Sequence, residues 1–137
     1  MGAHYEPFHA DITKRVLDVY FAVLRELGTG YLEKVFVRAM VIALTDAGLR
    51  VEVKVPLAVW FRGVLIGEFE VDLIVEDAVL VEIKAKLALD RHDEAQVINY
   101  LRCSTVELAL LLNFGPKADF KRLVYTNDRK SALPQTK

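Results

Sequence analysis

The sequence predicts an α/β (α+β) domain in which helices flank a mixed central sheet. The first third, up to residue 48, carries apolar residues at helical spacing. Residues 51 to about 85 instead alternate apolar and polar residues and are rich in valine and isoleucine, which is typical of strands. A third helical segment then separates these strands from two more. The predicted order is therefore α-α-β-β-β-β-α-β-β.

Two helices open the chain. The first is predicted from about Asp11 to Leu27, with Gly28 as its stop. The segment YLEKVFVRAMVIALTDAG, at 31–48, is predicted to form the second, with Glu33 in its first turn. Both helices carry apolar residues at helical spacing.

The strand region begins with RVEVKVPLAVWFRG, in which alternate valines share a face. Arg62 and Gly63 are predicted to turn the chain into VLIGEFEVDLIVE, which VLVEIKA follows. A helix from roughly His92 to Arg102 precedes the apolar strand VELALLLNF and a last short strand near FKRLVYT. Residues 1–126 are thus expected to form a single domain and residues 127–137 a flexible tail.

Composition narrows the function classes. Hydrophobic residues make up 53% and charged residues 27% of the 137 residues, as in a globular protein. The net charge of −1 provides no global basic field, so any nucleic-acid contact must come from a local patch. The single Cys103 excludes an intrachain disulfide and a zinc cluster built on cysteines. With no secretory signal and no apolar segment of membrane-spanning length, we expect a soluble, cytoplasmic protein without a membrane partner.

Charged residues lie inside the apolar strands. In VLVEIKA, Glu82 and Lys84 share one face because successive side chains of a strand point to opposite sides. Upstream, Asp72 interrupts a similarly apolar run. Burying an unpaired carboxylate costs several kcal/mol, so such residues need a partner, a metal or a cleft. An ion pair of Lys84 with Glu82 or Asp72 on a solvated face is the simpler interpretation of each residue alone.

The hairpin between these strands decides whether the two carboxylates meet. A three-residue loop at 76–78 would pair Val75 with Val79, and hence Asp72 with Glu82, since paired positions of a hairpin have a constant sum. A two-residue loop would pair Asp72 with Val81 and separate the carboxylates.

Paired carboxylates suggest a particular chemistry. Two carboxylates at cross-strand distance repel each other unless a cation lies between them. Ligation by oxygen alone suits Mg²⁺ or Mn²⁺, and such an ion can polarise a phosphate. A neighbouring Lys84 could orient water or stabilise developing charge. The pattern therefore favours phosphodiester hydrolysis.

These residues resemble those of a known family. Asp72 followed by Glu82-Ile83-Lys84 is similar to the D…(D/E)xK signature of the PD-(D/E)XK nuclease superfamily. The segment GTGYLEKVF resembles the motif of the GxxExxY family of predicted nucleases, with Phe36 in place of its Tyr. The segment EAQVINYL resembles the QxxxY motif of RecB-type exonucleases. The resemblance runs from about residue 17 to 124 and implies a restriction-endonuclease-like core.

The resemblance also implies roles for individual residues. The implied catalytic residues are Glu33, Asp72, Glu82 and Lys84, the implied metal ligands are Asp72, Glu82 and Glu33, and the implied accessory residues are Gln96 and Tyr100. The implied cofactor is Mg²⁺ or Mn²⁺, and the implied partner is nucleic acid, with DNA expected. Leu24 stands where many relatives carry a His before the helix-ending glycine.

Other interpretations stay open at this point. Glu33 could simply favour the positive end of its helix, and Gln96 and Tyr100, four residues apart, share a helix face where packing alone could explain them. The domain could be a metal-dependent nuclease, a nuclease-fold module that holds a protein or nucleic-acid partner, or an interaction domain with a salt-bridge network. The apolar segment LAVWF is expected to be an exposed edge, which favours a homodimer.

Overall fold

The computed structural model describes residues 9–131 and confirms the predicted class, a mixed sheet flanked by helices. Helices α1 and α2 precede three strands, α3 and two further strands. Their bounds are α1 Ala10–Leu27, α2 Glu33–Asp46, β1 Val51–Phe61, β2 Val64–Val75, β3 Val79–Lys84, α3 Arg91–Arg102, β4 Leu108–Asn113 and β5 Asp119–Val124, and a short 3-10 turn follows at Asn127–Arg129. None of the helices in this part of the chain is long and apolar enough to cross a membrane.

The strand count before α3 was wrong by one. The sequence predicted four strands there, whereas the structure has three, of which β1 and β2 are 11 and 12 residues long. Arg62 and Gly63 form the predicted turn, both with positive φ, of 50° and 78°. Gly67 pairs with Val59 and does not end β2, so the region holds two long strands and a short one.

The five strands lie in chain order, and only β3 and β4 run parallel. The pairs β1–β2, β2–β3 and β4–β5 are antiparallel. A parallel neighbour requires a crossover, and α3 supplies it between β3 and β4. Asp90 caps α3 by accepting a hydrogen bond from the Asp93 N–H at 3.0 Å, and the Asp93 carboxylate accepts one from the Asp90 N–H.

Each face of the sheet has its own core. Alternate residues of β3 separate as predicted, with Val79, Val81 and Ile83 facing α1 and α2, and Leu80 facing α3. The core against α1 and α2 also contains Val16, Tyr20, Phe36, Met40, Leu44 and Phe114. The core against α3 contains Val97, Tyr100, Leu101, Ala109 and Leu111. Because both faces are covered, a carboxylate at the middle of this sheet is withdrawn from water.

An irregularity crosses β1 and β2 at Lys54 and Asp72. The regular pairing of Val53 with Leu73 and of Val55 with Val71 skips the two residues between them. Lys54 has a positive φ of 53°, which is uncommon for a residue with a side chain. Leu73 packs in the core on the α1 and α2 side, whereas Val71 packs against α3. The strand therefore rotates at Asp72, and this rotation places the Asp72 side chain at the boundary between the two faces.

The beginning of the predicted tail packs against the domain. After the 3-10 turn, the Lys130 ammonium donates hydrogen bonds to the carbonyl oxygens of Ser104 and Val106, at 2.7 and 3.0 Å. Lys130 is buried, and burial lowers its pKa. Residues 1–8 of the predicted domain and 132–137 of the predicted tail lie outside the described residues.

Candidate functional site

The hairpin register confirms the three-residue loop. Val75 pairs with Val79 and Leu73 with Val81, as the odd loop requires. Glu76 and Asp77 both adopt a positive φ of 54°, which closes the turn within three residues. The same register places Asp72 opposite Glu82, one step beyond the last regular pair.

At Asp72 and Glu82, hydrogen bonds to side-chain carboxylates replace the backbone-to-backbone hydrogen bonds between β2 and β3. The Asp72 N–H donates to Glu82 Oε1 at 3.2 Å, and the Ile83 N–H donates to Asp72 Oδ2 at 2.9 Å. Each carboxylate thus accepts a hydrogen bond from a backbone N–H of the opposite strand. The two side chains hold β2 and β3 together where the regular pairing stops, and this fixes both carboxylates between the strands.

The surroundings of these carboxylates favour their protonated forms. Glu82 is only 6% exposed, and burial raises its pKa to about 8, with the negative charge of Asp72 as the next contribution. Burial also raises the pKa of Asp72, although the hydrogen bond from the Ile83 N–H and the charge of Lys84 oppose this. Near neutral pH the pair therefore retains a proton that two exposed carboxylates would have lost.

Lys84 lies on the same strand face as Glu82, as the alternation predicts. Its Nζ donates to Gln96 Oε1 at 2.8 Å and lies 4.0 Å from Asp93 Oδ1. Within residues 9–131 it forms no salt bridge with Asp72 or Glu82, although its charge lowers the pKa of both. Two residues of α3 therefore hold the ammonium beside the carboxylates, and a network with Lys84 bridging Asp72 and Glu82 is not what the structure has.

Glu33 approaches the pair from the other side of the sheet. It is the first residue of α2, and it lines the same groove as Asp72. Partial burial raises its pKa, while the charge of Lys84 lowers it and that of Asp72 raises it. The expectation that the start of the second helix reaches the carboxylate cleft is confirmed by this placement.

Tyr100 and Gln96 face the carboxylates from α3. Tyr100 is 5% exposed and its ring lies 5.5 Å from that of Phe69. Burial raises the pKa of Tyr100 to about 12, and the charges of Glu82 and Asp72 add to the effect. The structure thus brings together all six residues of the predicted site, Glu33, Asp72, Glu82, Lys84, Gln96 and Tyr100. Their roles in catalysis remain predictions.

The donor chemistry of the pair suits a hard cation. Asp72 and Glu82 offer carboxylate oxygens only, and a bound divalent ion would offset the negative charge of Asp72, which adds to the effect of burial on the pKa of Glu82. The part of the chain that the structure describes does not show a set of three protein ligands. Among residues 9–131, no group of three or more His, Cys, Asp or Glu side chains lies close enough together to hold a metal ion. The two-carboxylate set therefore fits, and Glu33 as a third ligand stays a prediction.

The sequence analysis did not identify two buried residues, Asp93 and Asn113, that contact the lysines beside the site. Asp93, 3% exposed, accepts a hydrogen bond from Lys86 Nζ at 2.8 Å while it faces Lys84. The fully buried Asn113 accepts from the Lys86 N–H at 3.1 Å and donates to the Lys86 carbonyl at 2.9 Å. The spacing of Asp90 and Asp93 before an amphipathic segment is the signal that could have shown the capped helix start. No sequence signal indicated the contact of Asn113 with Lys86.

The two departures from the motif lie in the core. Phe36, which stands where the motif has Tyr, is fully buried and stacks on Phe114 with ring centroids 4.6 Å apart. Leu24 packs, partly buried, against the same core. Neither position contributes to the carboxylate pair. The hydroxyl and the imidazole that these two positions lack would therefore have belonged to the core beneath the sheet.

Comparisons with known proteins agree with this geometry. The sequence profile of the PD-(D/E)XK nuclease superfamily matches residues 10–123. The crystal structure of SSO0001 superposes with a TM-score of 0.56 at 16% sequence identity, and the match covers 68% of this chain and 50% of that one. Such a likeness shows a shared fold, and the chain spans about half the length of that protein. No protein with a curated description matches.

Proposed function

Because the chain belongs to the PD-(D/E)XK nuclease superfamily, we propose that it is a Mg²⁺- or Mn²⁺-dependent phosphodiester hydrolase that acts on nucleic acid, with DNA as the first substrate to test. The observation that carries the proposal is the Asp72–Glu82 pair, held between two strands with Lys84 on the same face. Hydrolysis adds the oxygen of water to phosphorus and releases the ester oxygen as an alcohol, so water is its only co-reactant.

Asp72 and Glu82 would hold the cation, and Glu33 is the third ligand that the family motif implies. When bound, such an ion polarises the phosphodiester and acidifies bound water. The Glu82 carboxyl, whose pKa is raised to about 8, must give up its proton before it can bind a cation. This requirement predicts that cation binding strengthens with pH and releases protons.

Lys84 would supply positive charge beside the reacting phosphate. Its ammonium is fixed by Gln96 at 2.8 Å and lies 4.0 Å from Asp93. A fixed charge near the phosphoryl oxygens stabilises the transition state without reorganisation. The Tyr100 hydroxyl stays protonated at physiological pH, since its pKa is raised to about 12, and it could donate a hydrogen bond within the cleft.

The test is cleavage by the purified chain. Supercoiled plasmid reports nicking, and linear duplex, single-stranded DNA and RNA with end labels report exonuclease and strand preference. Cleavage should need Mg²⁺ or Mn²⁺, stop with EDTA and disappear in Asp72→Ala. Glu68→Ala, which removes an exposed carboxylate from the same strand, should cleave like wild type. Activity that persists in Asp72→Ala would point to a contaminating nuclease.

The same proposal includes the family within the superfamily and the cellular location. The segment with Gly30, Glu33 and Phe36 supports placing the chain in the GxxExxY family. The free Cys103 is compatible with a cytoplasmic location.

A second candidate function rests on the distal end of the β1–β2 hairpin. Phe61, Val64, Leu65 and Ile66 are 44–62% exposed there, on strands that extend beyond β3. Exposed apolar groups at one place favour a binding partner. They support a nuclease-fold module that holds a protein or nucleic-acid partner, or a homodimer. Light scattering of wild type and of Phe61→Ser/Ile66→Ser would separate a dimer from a monomer.

A further inference from the structure

A basic groove adjoins the carboxylate pair. It has a volume of about 540 Å³ and lies between α2 and β1. It is lined by the cationic side chains Lys34, Arg38 and Lys54, the apolar side chains Val37, Val41 and Val53, and the carboxylates Glu33 and Asp72. The groove thus includes two residues of the candidate site.

The three cations are available for a ligand. Lys34, Arg38 and Lys54 are exposed, and none of them forms a salt bridge within residues 9–131. Lys34 and Arg38 are one helical turn apart, which spaces them about 6 Å along the axis of α2. Neighbouring positive charges that form no salt bridge attract a chain that carries negative charge at regular intervals.

Lys54 connects this row with the carboxylate pair. It lies opposite Asp72 at the irregularity of β1 and β2, and its positive φ of 53° breaks the regular pairing there. A protein keeps an unfavourable backbone conformation only where the surrounding structure imposes it, and such residues cluster at functional sites. The same irregularity therefore presents Asp72 to the cleft and Lys54 to the groove.

We infer that Lys34, Arg38 and Lys54 bind the sugar–phosphate backbone of a nucleic-acid strand that reaches the candidate site. The inference rests on the proposed function, because the bound strand must reach Asp72 and Glu82. The net charge of −1 gives the chain no general attraction for nucleic acid, so a local basic row has to provide it. Val37, Val41 and Val53 give the groove apolar surface that sugars or bases can contact.

Binding and cleavage test this inference separately. Fluorescence anisotropy in EDTA measures the affinity of the chain for labelled single-stranded DNA, duplex DNA and RNA of equal length, without cleavage. In the groove variant, Lys34→Gln/Arg38→Gln/Lys54→Gln, the affinity for the preferred nucleic acid should fall roughly tenfold or more. The slope of log K against log salt should fall by about 2–3, close to one per phosphate contact removed.

A matched control removes the same charge elsewhere. Arg25→Gln/Lys117→Gln/Lys121→Gln takes away one arginine and two lysines that are also exposed and lie outside the groove. It should bind like wild type. Lys54→Glu alone, which reverses the charge of the groove residue on β1, should weaken binding even if the triple groove variant folds poorly.

The possible outcomes distinguish a failure of this inference from a failure of the proposed function. Wild type that binds nucleic acid through the groove but never cleaves it would uphold this inference and contradict the proposed function. Three results would overturn the inference: a groove variant that binds and cleaves like wild type, a control variant that loses as much affinity, or polyglutamate that binds as tightly as DNA of equal charge. Wild type that binds no nucleic acid at all would overturn it too.

Discussion

Asp72 and Glu82 are linked through the backbones of opposite strands, the Asp72 N–H donating to Glu82 and the Ile83 N–H donating to Asp72. These bonds hold two carboxylates together at a place where burial raises both pKa values, and the negative charge of Asp72 raises that of Glu82 further. In the absence of a cation, this arrangement disfavours the form of the pair in which both carboxylates are ionised.

The stability of the metal-free chain should fall with rising pH. The folded-state pKa of Glu82, about 8, lies above its ordinary value of 4.5, so the folded chain binds the proton more tightly than the unfolded chain. The stabilisation is complete below pH 4.5 and is lost as the pH rises to about 8, on the order of 2–4 kcal/mol. Urea unfolding in EDTA at pH 5, 6.5 and 8 measures it.

The control for this pH dependence is Glu82→Gln, which keeps an amide oxygen for the Asp72 N–H but cannot ionise. Its unfolding free energy should vary much less over the same range and exceed that of wild type at pH 8. Glu68→Gln, at an exposed position of β2, should behave like wild type. Equal pH slopes for wild type and Glu82→Gln would contradict the assignment of the raised pKa.

Mn²⁺ should raise the melting temperature of wild type in proportion to the logarithm of its concentration above Kd. A ligand that binds only the folded state stabilises it by mass action. Because the Glu82 carboxyl must lose its proton, the shift should be larger at pH 8 than at pH 6. Asp72→Ala should remain folded and lose the shift, since removing one of two repelling carboxylates need not destabilise the metal-free chain. A melting temperature of wild type that does not change with Mn²⁺ at either pH would count against the cation site.

Gln96→Ala should slow cleavage roughly ten- to a hundredfold while nucleic-acid affinity stays close to wild type. The substitution removes the 2.8 Å hydrogen bond that fixes Lys84, and a misplaced charge stabilises the transition state less. Lys84→Ala should be slower still. Glu94→Ala, at another position of α3 outside these contacts, serves as the control. A Gln96→Ala enzyme with an unchanged kcat would show that Lys84 does not depend on this contact.

Gly115→Ala should destabilise the fold by about 2–3 kcal/mol, which denaturant unfolding will measure. A Cβ at Gly115 would lie 1.7 Å from the Lys86 carbonyl oxygen, so the segments after β3 and β4 would have to separate. Asn113 bonds to Lys86 at the same crossing, and Lys86 pairs with Asp93 beside Lys84. Gly67→Ala is the matched control, because its Cβ would meet Val59 at an ordinary 3.8 Å. If both variants unfold alike, the crossing is looser than these contacts indicate.

The sequence alone determined the features that depend on local periodicity. Alternation along β3 placed Glu82 and Lys84 on one face, and the three-residue loop at 76–78 fixed the register that sets Asp72 opposite Glu82. Both conclusions follow from the two-residue repeat of a strand, which needs no knowledge of the rest of the fold. Apolar spacing likewise located the three helices, although α1 and α3 are one residue longer than predicted and α2 is two residues shorter at each end.

Only the tertiary structure decided what surrounds those residues. The raised pKa of Glu82 depends on helices covering both faces of the sheet, and the support of Lys84 depends on α3 crossing beside β3. The rotation of the strands at Lys54 and Asp72 leaves no mark in the alternation of β1 and β2 that a reader of the sequence would notice. The basic groove exists because α2 packs beside β1, which brings Arg38 and Lys54, 16 positions apart in the sequence, into one wall. Periodicity specifies which way a side chain points, whereas its neighbours, and therefore its charge state, are set by contacts between segments distant in the chain.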